Sequence, residues 1–351
     1  MALFKPWNLK TKTFKTVDEI DGKKFSLILK SSNKELEAFD VDYRTTFWPA
    51  SAFPFDKIGL HIQTMKENHP GLYNALEKVL LFFSAVEGPI GDNLGTFDEI
   101  SSPHIKTLFN RQAVQEVEHG KTYSEMLIKG FNYTTDDIIK KMESELQTPL
   151  EKKLRWMDSH LNAGDSEKRT HLLVRLANSA FAEGILLQSS FTFILYLRSL
   201  NKFSNLDAIY NANNYILRDE MLHYRMFAWL FRQLRQSSSL SIDEMIQLDK
   251  KVEEGFKSCL QVEKDYFKYM YPIDLAADFT NEMMETHLDA VSKVIWDGLY
   301  PSNDDSTNQF STPFNFWDVE VGVKSINHFE LHSTAYVTVD DVVEYSDDEA
   351  D

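Results

Sequence analysis

The sequence predicts an all-α protein, a helical bundle whose core holds two metal ions between carboxylate and imidazole side chains. Helical periodicity dominates from about residue 70, and glycine is scarce at 13 of 351 residues. Glu-x-x-His occurs twice, as Glu116 with His119 and as Glu220 with His223. Residues three apart lie on one helix face, with Cβ atoms roughly 5–6 Å apart. Two such pairs, with further glutamates in apolar helices, are typical of dinuclear sites in helix bundles.

Composition limits the functions that this chain can have. A formal net charge of −17 argues against nucleic-acid binding, which needs clustered Lys and Arg. The single cysteine, Cys259, excludes an intrachain disulfide, fits a reducing compartment and is expected to be a small buried hydrophobe. The N-terminus lacks an apolar core long enough for a signal peptide, and the most apolar run, 185–197, is too short to span a membrane. We therefore expect a cytoplasmic protein that binds no membrane.

We expect one large helical domain flanked by less regular segments. Residues 1–65 form an N-terminal extension that packs on the bundle and includes a short strand or hairpin around Lys24–Lys30. Residues 66–300 form the bundle, and residues 301–335 are irregular. Residues 336–351 form a flexible tail, since its last fifteen residues carry seven acidic side chains and no basic one.

Helix boundaries follow the apolar periodicity and the residues that interrupt it. Gly88-Pro89 is predicted to end one helix, and Ser241 with Glu244 has the spacing of a capping box. The predicted helices span about 70–88, 103–130, 134–162, 167–199, 207–235, 241–270 and 276–298.

Four of these helices supply the candidate metal ligands. The argument is strongest for Glu183, because an ionised carboxylate in an apolar helix is costly unless it is compensated. Four carboxylates and two imidazoles balance the charge of two divalent cations. Oxygen-rich ligation with one imidazole per metal suits iron or manganese better than zinc. The candidate ligands are Glu87, Glu116, His119, Glu183, Glu220 and His223.

Each position also has a purely structural interpretation. A single Glu-x-x-His pair on a helix is usually a solvated face, and Glu118 is expected at the surface. Tyr123 or Trp48 alone would be an ordinary core residue, and Asp219 alone would be a charged neighbour of Arg218. Their joint occurrence favours a functional site.

These motifs resemble those of the small, radical-generating subunit of class I ribonucleotide reductases. Glu116-x-x-His119-x-x-x-Tyr123 is similar to a ligand pair followed by the radical tyrosine. Arg218-Asp219-Glu220-x-x-His223 is similar to the second ligand signature. The resemblance covers roughly residues 40–345, and further similar segments are Thr46-Phe47-Trp48-Pro49, Phe82–Gly88 and Ala182–Ile185.

The resemblance implies a ferritin-like bundle with a di-iron centre. Two ferrous ions react with O2, and the oxidised pair, joined by an O2-derived bridge, takes one electron and a proton from Tyr123. Leu187, Phe191 and Ile216 occupy the positions that line the pocket of the radical. The radical is then passed to a cysteine of a separate large subunit, where ribonucleotides are reduced to deoxyribonucleotides.

The resemblance also implies a relay and two partners. Trp48, hydrogen-bonded through Asp219 to His119, is the first relay out of the site. Tyr336 resembles the relay tyrosine near the subunit interface and is preferred to Tyr345. The acidic tail would dock on the large subunit, and the small subunit would be a homodimer.

The chain departs from the family pattern in three ways. Most members have Asp where Glu87 stands, and relatives with Glu there include some with a manganese–iron cluster, although those usually lack the tyrosine that Tyr123 matches. The connection from Glu87 to Glu116 is slightly shorter than usual. Leu187 replaces a common aromatic residue.

Three other functions compete with this one. A ligand-binding di-iron oxidase would need an apolar tunnel to the metals. A ferritin-like iron-binding protein would lack the path from Trp48 through Asp219 to His119. A scaffold that has lost its metals would lack at least one ligand.

Overall fold

The computed structural model describes residues 14–15, 27–28, 33–100, 102–161, 172–272, 276–301 and 310–320. Within these ranges the protein is almost entirely helical, which confirms the all-α prediction. Two short antiparallel strands, β1 (Phe14–Lys15) and β2 (Leu27–Ile28), precede the helices, and β2 lies within the predicted strand. The helices are α1 (Lys34–Thr45), α2 (Ile58–Asn68), α3 (Pro70–Leu94), α4 (Pro103–Gly130), α5 (Thr135–Ser144), α6 (Pro149–His160), α7 (Leu172–Gly184), α8 (Gln188–Ser199), α9 (Asp207–Gln236), α10 (Ile242–Met270), α11 (Asn281–Leu299) and α12 (Asn315–Glu320).

Helices α3, α4, α7 and α9 form the centre of the bundle. α3 packs along α4, α7 packs along α9, and α4 also contacts α9. α1 covers α4 and α9, while α10 packs against α6, α7 and α11. Every side chain of α7 is buried, including those of its few polar residues, such as Arg175 and Glu183. Residues 172–199 are long and apolar enough to cross a membrane, but their most apolar 18-residue stretch is entirely buried inside the protein, so the core accounts for its composition.

α3 does not end at Gly88-Pro89, and the prediction of a helix end there was wrong. The helix continues through Pro89 to Leu94. Proline loses one backbone hydrogen bond inside a helix, and here the buried side chains of Ile90 and Leu94 compensate for it by packing. Glu87 therefore lies inside a helix, and the helical backbone determines the direction of its side chain.

Other boundaries also differ from the predictions. The predicted helix 134–162 is interrupted before Pro149, where Gln147 has a positive φ of 70° and Thr148 caps α6. The predicted helix 167–199 is interrupted at residues 185–187, and its first residues lie outside the described ranges. α11 begins only after the cap at Thr280.

Three helices lie where none was predicted, and one of them is α2, which precedes the first predicted helix. α1 falls in the segment predicted to be mixed, and the side chain of Asn33 caps it by accepting two backbone N–H groups. α12 falls in the segment predicted to be irregular. The predicted capping box of Ser241 and Glu244 is present at the start of α10, and Cys259 is buried as expected.

Candidate metal centre

The six predicted ligand side chains meet at the centre of the bundle. α3 supplies one glutamate, α7 another, and α4 and α9 each supply a glutamate and a histidine. Each side chain is at most 3% exposed. Their ligand atoms form two groups, in each of which all atoms lie within 4.8 Å of one another. The first group is Glu87, Glu116, His119 and Glu220, and the second is Glu116, Glu183, Glu220 and His223.

Glu116 and Glu220 belong to both groups, so the site consists of two adjacent positions with two shared carboxylates. Both are the first residue of a Glu-x-x-His pair, and the helical spacing places each beside the histidine that follows it. The two pairs are brought together because α4 contacts α9. Four carboxylates, two of them shared, can hold two cations side by side.

Both histidine rings turn Nδ1 toward the carboxylates and Nε2 away from them. His119 Nδ1 lies 2.9 Å from Glu220 Oε1, and its Nε2 lies 3.4 Å from Asp219 Oδ2. His223 Nδ1 lies 3.1 Å from oxygens of both shared glutamates, and its Nε2 lies 3.0 Å from Gln115 Oε1. Each ring can therefore offer Nδ1 to a cation while its outer nitrogen is held, the usual arrangement of histidine ligands.

Burial and the neighbouring charges strongly shift the pKa values of the carboxyl groups in the site. Burial raises the pKa of Glu87 and Glu183 well above the ordinary value, and the neighbouring carboxylates of Glu220 and Glu116 raise it further. Burial also opposes ionisation of Glu116, but His223 and His119 outweigh it and lower its pKa. Without cations, the site therefore keeps protons on some carboxyl groups.

The imidazoles respond in the opposite sense. Burial alone would lower the pKa of His119, but hydrogen bonds to Asp219, Glu116 and Glu220 raise it well above the ordinary value. Glu116 and Glu220 likewise outweigh burial at His223 and raise its pKa to about 9. In the metal-free protein, protons on these rings take the place of positive charge that cations would supply.

The donor set fits two divalent cations. Neither oxygen of Glu87 receives a hydrogen bond from an amide, amine or alcohol in the described part of the chain, and the same holds for Oε2 of Glu183. Such buried, unsatisfied oxygens are costly unless a cation compensates for them. The oxygen-rich set with one imidazole at each position suits iron or manganese.

A tryptophan links this site to the protein's outer layer. Trp48 Nε1 donates a hydrogen bond of 2.7 Å to Asp219 Oδ2, the oxygen that faces His119. Arg218 donates to the other oxygen of Asp219 at 2.9 Å. Burial would raise the pKa of Asp219, but Arg218 and His119 outweigh it and lower the pKa. The indole of Trp48 also packs edge-on against the half-exposed ring of Tyr215.

Tyr123 lies one turn beyond His119 and is completely buried. Its ring stacks on Phe83 with centroids 4.4 Å apart, and the ring of Phe191 also packs against Phe83, with centroids 4.8 Å apart. Burial raises the pKa of Tyr123 well above its ordinary value, and Glu87 is the neighbouring charge that raises it most. Leu187 and Ile216 are also fully buried.

Three polar residues at the site were missed by the sequence analysis. Gln112 Nε2 donates to Glu116 Oε1 at 3.0 Å and to Glu183 Oε1 at 2.8 Å. Gln115 holds the outer nitrogen of His223, and the ring of Tyr43 stacks on that histidine with centroids 5.7 Å apart. The position of Gln112, four residues before Glu116, could have suggested its contact.

Tyr43 carried no such signal, because α1 was not predicted. The structure places Glu118 away from the metal ligands, where it is partly exposed and accepts the backbone N–H of Ala50 at 2.8 Å. Tyr336, Tyr345 and the acidic tail lie outside the described residues.

Comparison with known proteins points to one family. The sequence model of "Ribonucleotide reductase, small chain" matches residues 31–299. The chain is 23% identical over 328 residues to a ribonucleoside-diphosphate reductase small chain of Ostreid herpesvirus 1, a match that covers 91% of this chain and 53% of that protein. It is 28% identical over 207 residues to a small subunit of Dictyostelium discoideum, covering 57% and 55%. The chain thus spans about half the length of these two relatives.

Solved structures share the fold at low sequence identity. The structure of a "putative class I ribonucleotide reductase" from Bacillus halodurans aligns with a TM-score of 0.68 at 17% identity, covering 82% of this chain and 100% of that chain. The dimanganese(II)-NrdF of Streptococcus sanguinis aligns with a TM-score of 0.66 at 18% identity, covering 83% and 96%. These alignments confirm the ferritin-like helical bundle.

The stability of the metal-free protein should fall as the pH rises from 6.5 to 9. Because the folded-state pKa of His223 is raised from 6.5 to about 9, the folded state holds a proton that the unfolded state releases, and stability is lost across this window. The loss from His223 alone is on the order of 3 kcal/mol. The melting temperature, measured with a chelator present, should therefore fall, and bound divalent metal should remove the dependence.

Two variants isolate this contribution from other titrating groups. His223→Gln should flatten the fall of the melting temperature. His287→Gln is the matched control, because burial lowers the pKa of His287 to about 3 and the group is neutral throughout the window. A wild-type melting temperature that stays constant from pH 6.5 to 9 would contradict the proton-holding cluster.

Proposed function

This chain belongs to the ribonucleotide reductase small-chain family, and from that premise we propose that it is the radical-generating subunit of a class I ribonucleoside-diphosphate reductase. The observation that carries the proposal is a pair of ligand groups with two shared carboxylates beside a buried tyrosine. We further propose that it acts in the cytoplasm together with a large subunit, which reduces ribonucleotides to deoxyribonucleotides.

The six predicted ligands would hold two iron ions. Glu87 and His119 would bind one ion, and Glu183 and His223 would bind the other. The remaining two glutamates would bind both ions. When bound, the iron pair supplies an oxidant, generated with O2, that is strong enough to remove one electron from a phenol. Manganese with iron is the alternative, because Glu87 stands where most of the family has Asp.

Tyr123 would supply the electron. Its hydroxyl has no hydrogen-bond partner among the described residues, and burial raises its pKa well above the ordinary value. The phenol therefore keeps its proton until the electron leaves, so that loss of the two is coupled and yields a neutral radical. Phe83, Phe191, Leu187 and Ile216 would protect that radical, since all four are completely buried.

Trp48 would connect the site to the partner subunit. Asp219 lies between Trp48 and His119 and contacts both through the same oxygen, which keeps the path short. We propose that Tyr336 continues the relay and that the acidic tail binds the large subunit. A segment with seven acidic residues in its last fifteen would become ordered on binding to a complementary surface.

A homodimer is supported by an exposed apolar patch on α1 and α4. Val114 and Val117 are three residues apart on α4 and are 51% and 54% exposed, and Val41 on α1 is 45% exposed. Phe47, which follows α1, is 50% exposed. A neighbouring structure is described as the Rnr4 homodimer of Saccharomyces cerevisiae. We propose that this patch is covered by a second copy of the chain.

The contacts of Trp48 favour this function over the alternatives. A ferritin-like iron-binding protein does not require a tryptophan hydrogen-bonded to Asp219 behind a ligand histidine.

A ligand-binding oxidase needs a tunnel to the metals. The surface cleft of about 690 Å³ beside α4 is lined by Phe53, Phe55, Lys121 and neighbours, and by none of the six predicted ligands.

Reconstitution with Fe(II) and O2 should produce a tyrosyl radical at Tyr123. Electron paramagnetic resonance should detect it in the wild type and not in Tyr123→Phe. Tyr224→Phe is the matched control, because Tyr224 is also buried but lies on the side of α9 near α11. A parallel sample with manganese and iron distinguishes the two metal assignments. A tyrosyl signal that persists unchanged in Tyr123→Phe would contradict the assignment of the radical.

Deleting residues 337–351 should abolish turnover with the large subunit and leave the tyrosyl radical intact, because the tail is predicted to dock the partner and contributes no metal ligand. The assay is ribonucleotide reduction with purified large subunit, with radical content measured on the same sample. Full turnover by the truncated chain would remove the docking role.

A double variant Val114→Asp/Val117→Asp should sediment as a monomer at concentrations where the wild type is a dimer, because it would bury two unpaired charges in the interface. Leu60→Asp on α2 is the control, since Leu60 is 73% exposed outside the patch. Sedimentation velocity measures all three proteins. Unchanged dimers of the double variant would place the interface elsewhere.

A further inference from the structure

The helix that carries Glu183 is broken directly after this ligand. Leu186 N–H donates to Phe181 O, five residues back, at 3.2 Å, and Gln188 N–H donates to Ile185 O, three residues back, at 3.1 Å. A continuous α-helix would use neither bond. The acceptor that Ser189 N–H would use in such a helix, Ile185 O, is therefore already occupied.

A buried carboxylate from α10 takes over this orphaned N–H group. Glu263 Oε1 accepts Ser189 N–H at 2.8 Å and the Ser189 hydroxyl at 2.5 Å. An acceptor at the first turn of α8 satisfies its free N–H groups and also interacts favourably with the helix dipole. Glu263 thus caps the second half of the broken helix from a different part of the chain.

A buried lysine from α6 compensates the charge of this cap. Lys153 Nζ lies 2.6 Å from Glu263 Oε2, and both side chains are 0% exposed. The ammonium group also lies 3.7 Å from the ring centre of Phe82 and 3.9 Å from that of Tyr266. A buried ion pair is a costly way to stabilise a core, so its value here lies in the geometry that it imposes.

The pair lies directly behind the proposed radical pocket. Phe82 precedes Phe83, whose ring stacks on Tyr123, and the same ring packs against Phe191 of α8. The break joins Glu183 on one side to Phe191 on the other. Its conformation therefore determines both the position of a metal ligand and the packing around the tyrosine.

We propose that Glu263, whose charge Lys153 compensates, is a positioning residue that holds the α7–α8 break in the conformation required by the metal centre and Tyr123. The expected effect on the radical rests on the proposed function, whereas the capping of the break rests on the contacts of Ser189. Neither residue contacts the reacting atoms. Loss of the cap would let the break relax, which would loosen the wall of the radical pocket.

Two double variants separate the cap from the charge. Lys153→Met/Glu263→Gln removes both charges and keeps a side-chain oxygen for Ser189 N–H. Lys153→Met/Glu263→Leu removes the charges and the acceptor. Arg175→Met/Glu99→Gln is the control, because it removes a different ion pair, with a 2.6 Å contact, at the end of α7 far from the break. Glu263→Asp, which retracts the carboxylate but keeps the pair, serves if the Leu variant does not fold.

The readouts are amide exchange of the peptide covering residues 185–190, and the lifetime of the tyrosyl radical after reconstitution of the full chain. We expect about tenfold faster exchange and faster radical decay in the Leu variant, because a buried N–H is left without an acceptor. Glu263→Asp should show the same changes in weaker form. The Gln variant and the control should match the wild type in both.

The proposal would be overturned if amide exchange and radical lifetime in the Leu variant equalled those of the wild type. If the Leu variant does not fold, the same result for Glu263→Asp would overturn it. Equal acceleration in the Gln and Leu variants would also overturn it, because the effect would then belong to the charge and not to the cap. A wild-type protein that forms no tyrosyl radical would contradict the proposed function instead. In that case the exchange of the metal-free protein still tests the positioning role.

Discussion

The structure depends on the compensation of four carboxylates buried at the centre of an apolar bundle. The free-energy cost of burying an isolated ionised carboxylate at such depth is prohibitive, and these four can exist together only with positive charge among them. In the metal-free protein, protons on His119 and His223 and on some carboxyl groups supply it. Two divalent cations would supply it without protons, which makes this core a site built for metal.

The two halves of the site differ in what supports the histidine. His119 is backed by the carboxylate of Asp219, and His223 by the amide of Gln115. Among the described residues, the charged support continues to a tryptophan, because Asp219 also accepts the indole N–H of Trp48. The amide support leads instead to Thr46 through a long hydrogen bond of 3.4 Å. The hydrogen-bonded chain from His119 through Asp219 to Trp48 therefore begins on the side of the centre that also adjoins Tyr123.

The sequence was sufficient to predict which six side chains meet at the centre of the bundle, and four of them form pairs with helical spacing. Glu116 with His119 and Glu220 with His223 are local patterns, and a local pattern survives folding. The end of the helix that carries Glu87 was misjudged because a proline was given its usual weight as a helix breaker, while packing of the residues beyond it kept α3 intact. Tertiary packing of that kind cannot be predicted from a short segment of the sequence alone.

The contacts that support the ligands were harder to predict, and for the same reason. Tyr43 and Gln115 reach His223 from different helices, and Glu263 reaches Ser189 from α10 across 74 residues of sequence. The break after Glu183 illustrates the point further. Its sequence reads as one apolar helix, and no glycine or proline in the break itself marks residues 185–187.

The break persists because a distant carboxylate satisfies the N–H group that the break releases. A bundle of uninterrupted helices would need no such partner. The ion pair behind α8 is therefore best understood as the means by which an otherwise regular helix is held in an irregular form, directly after the predicted ligand Glu183.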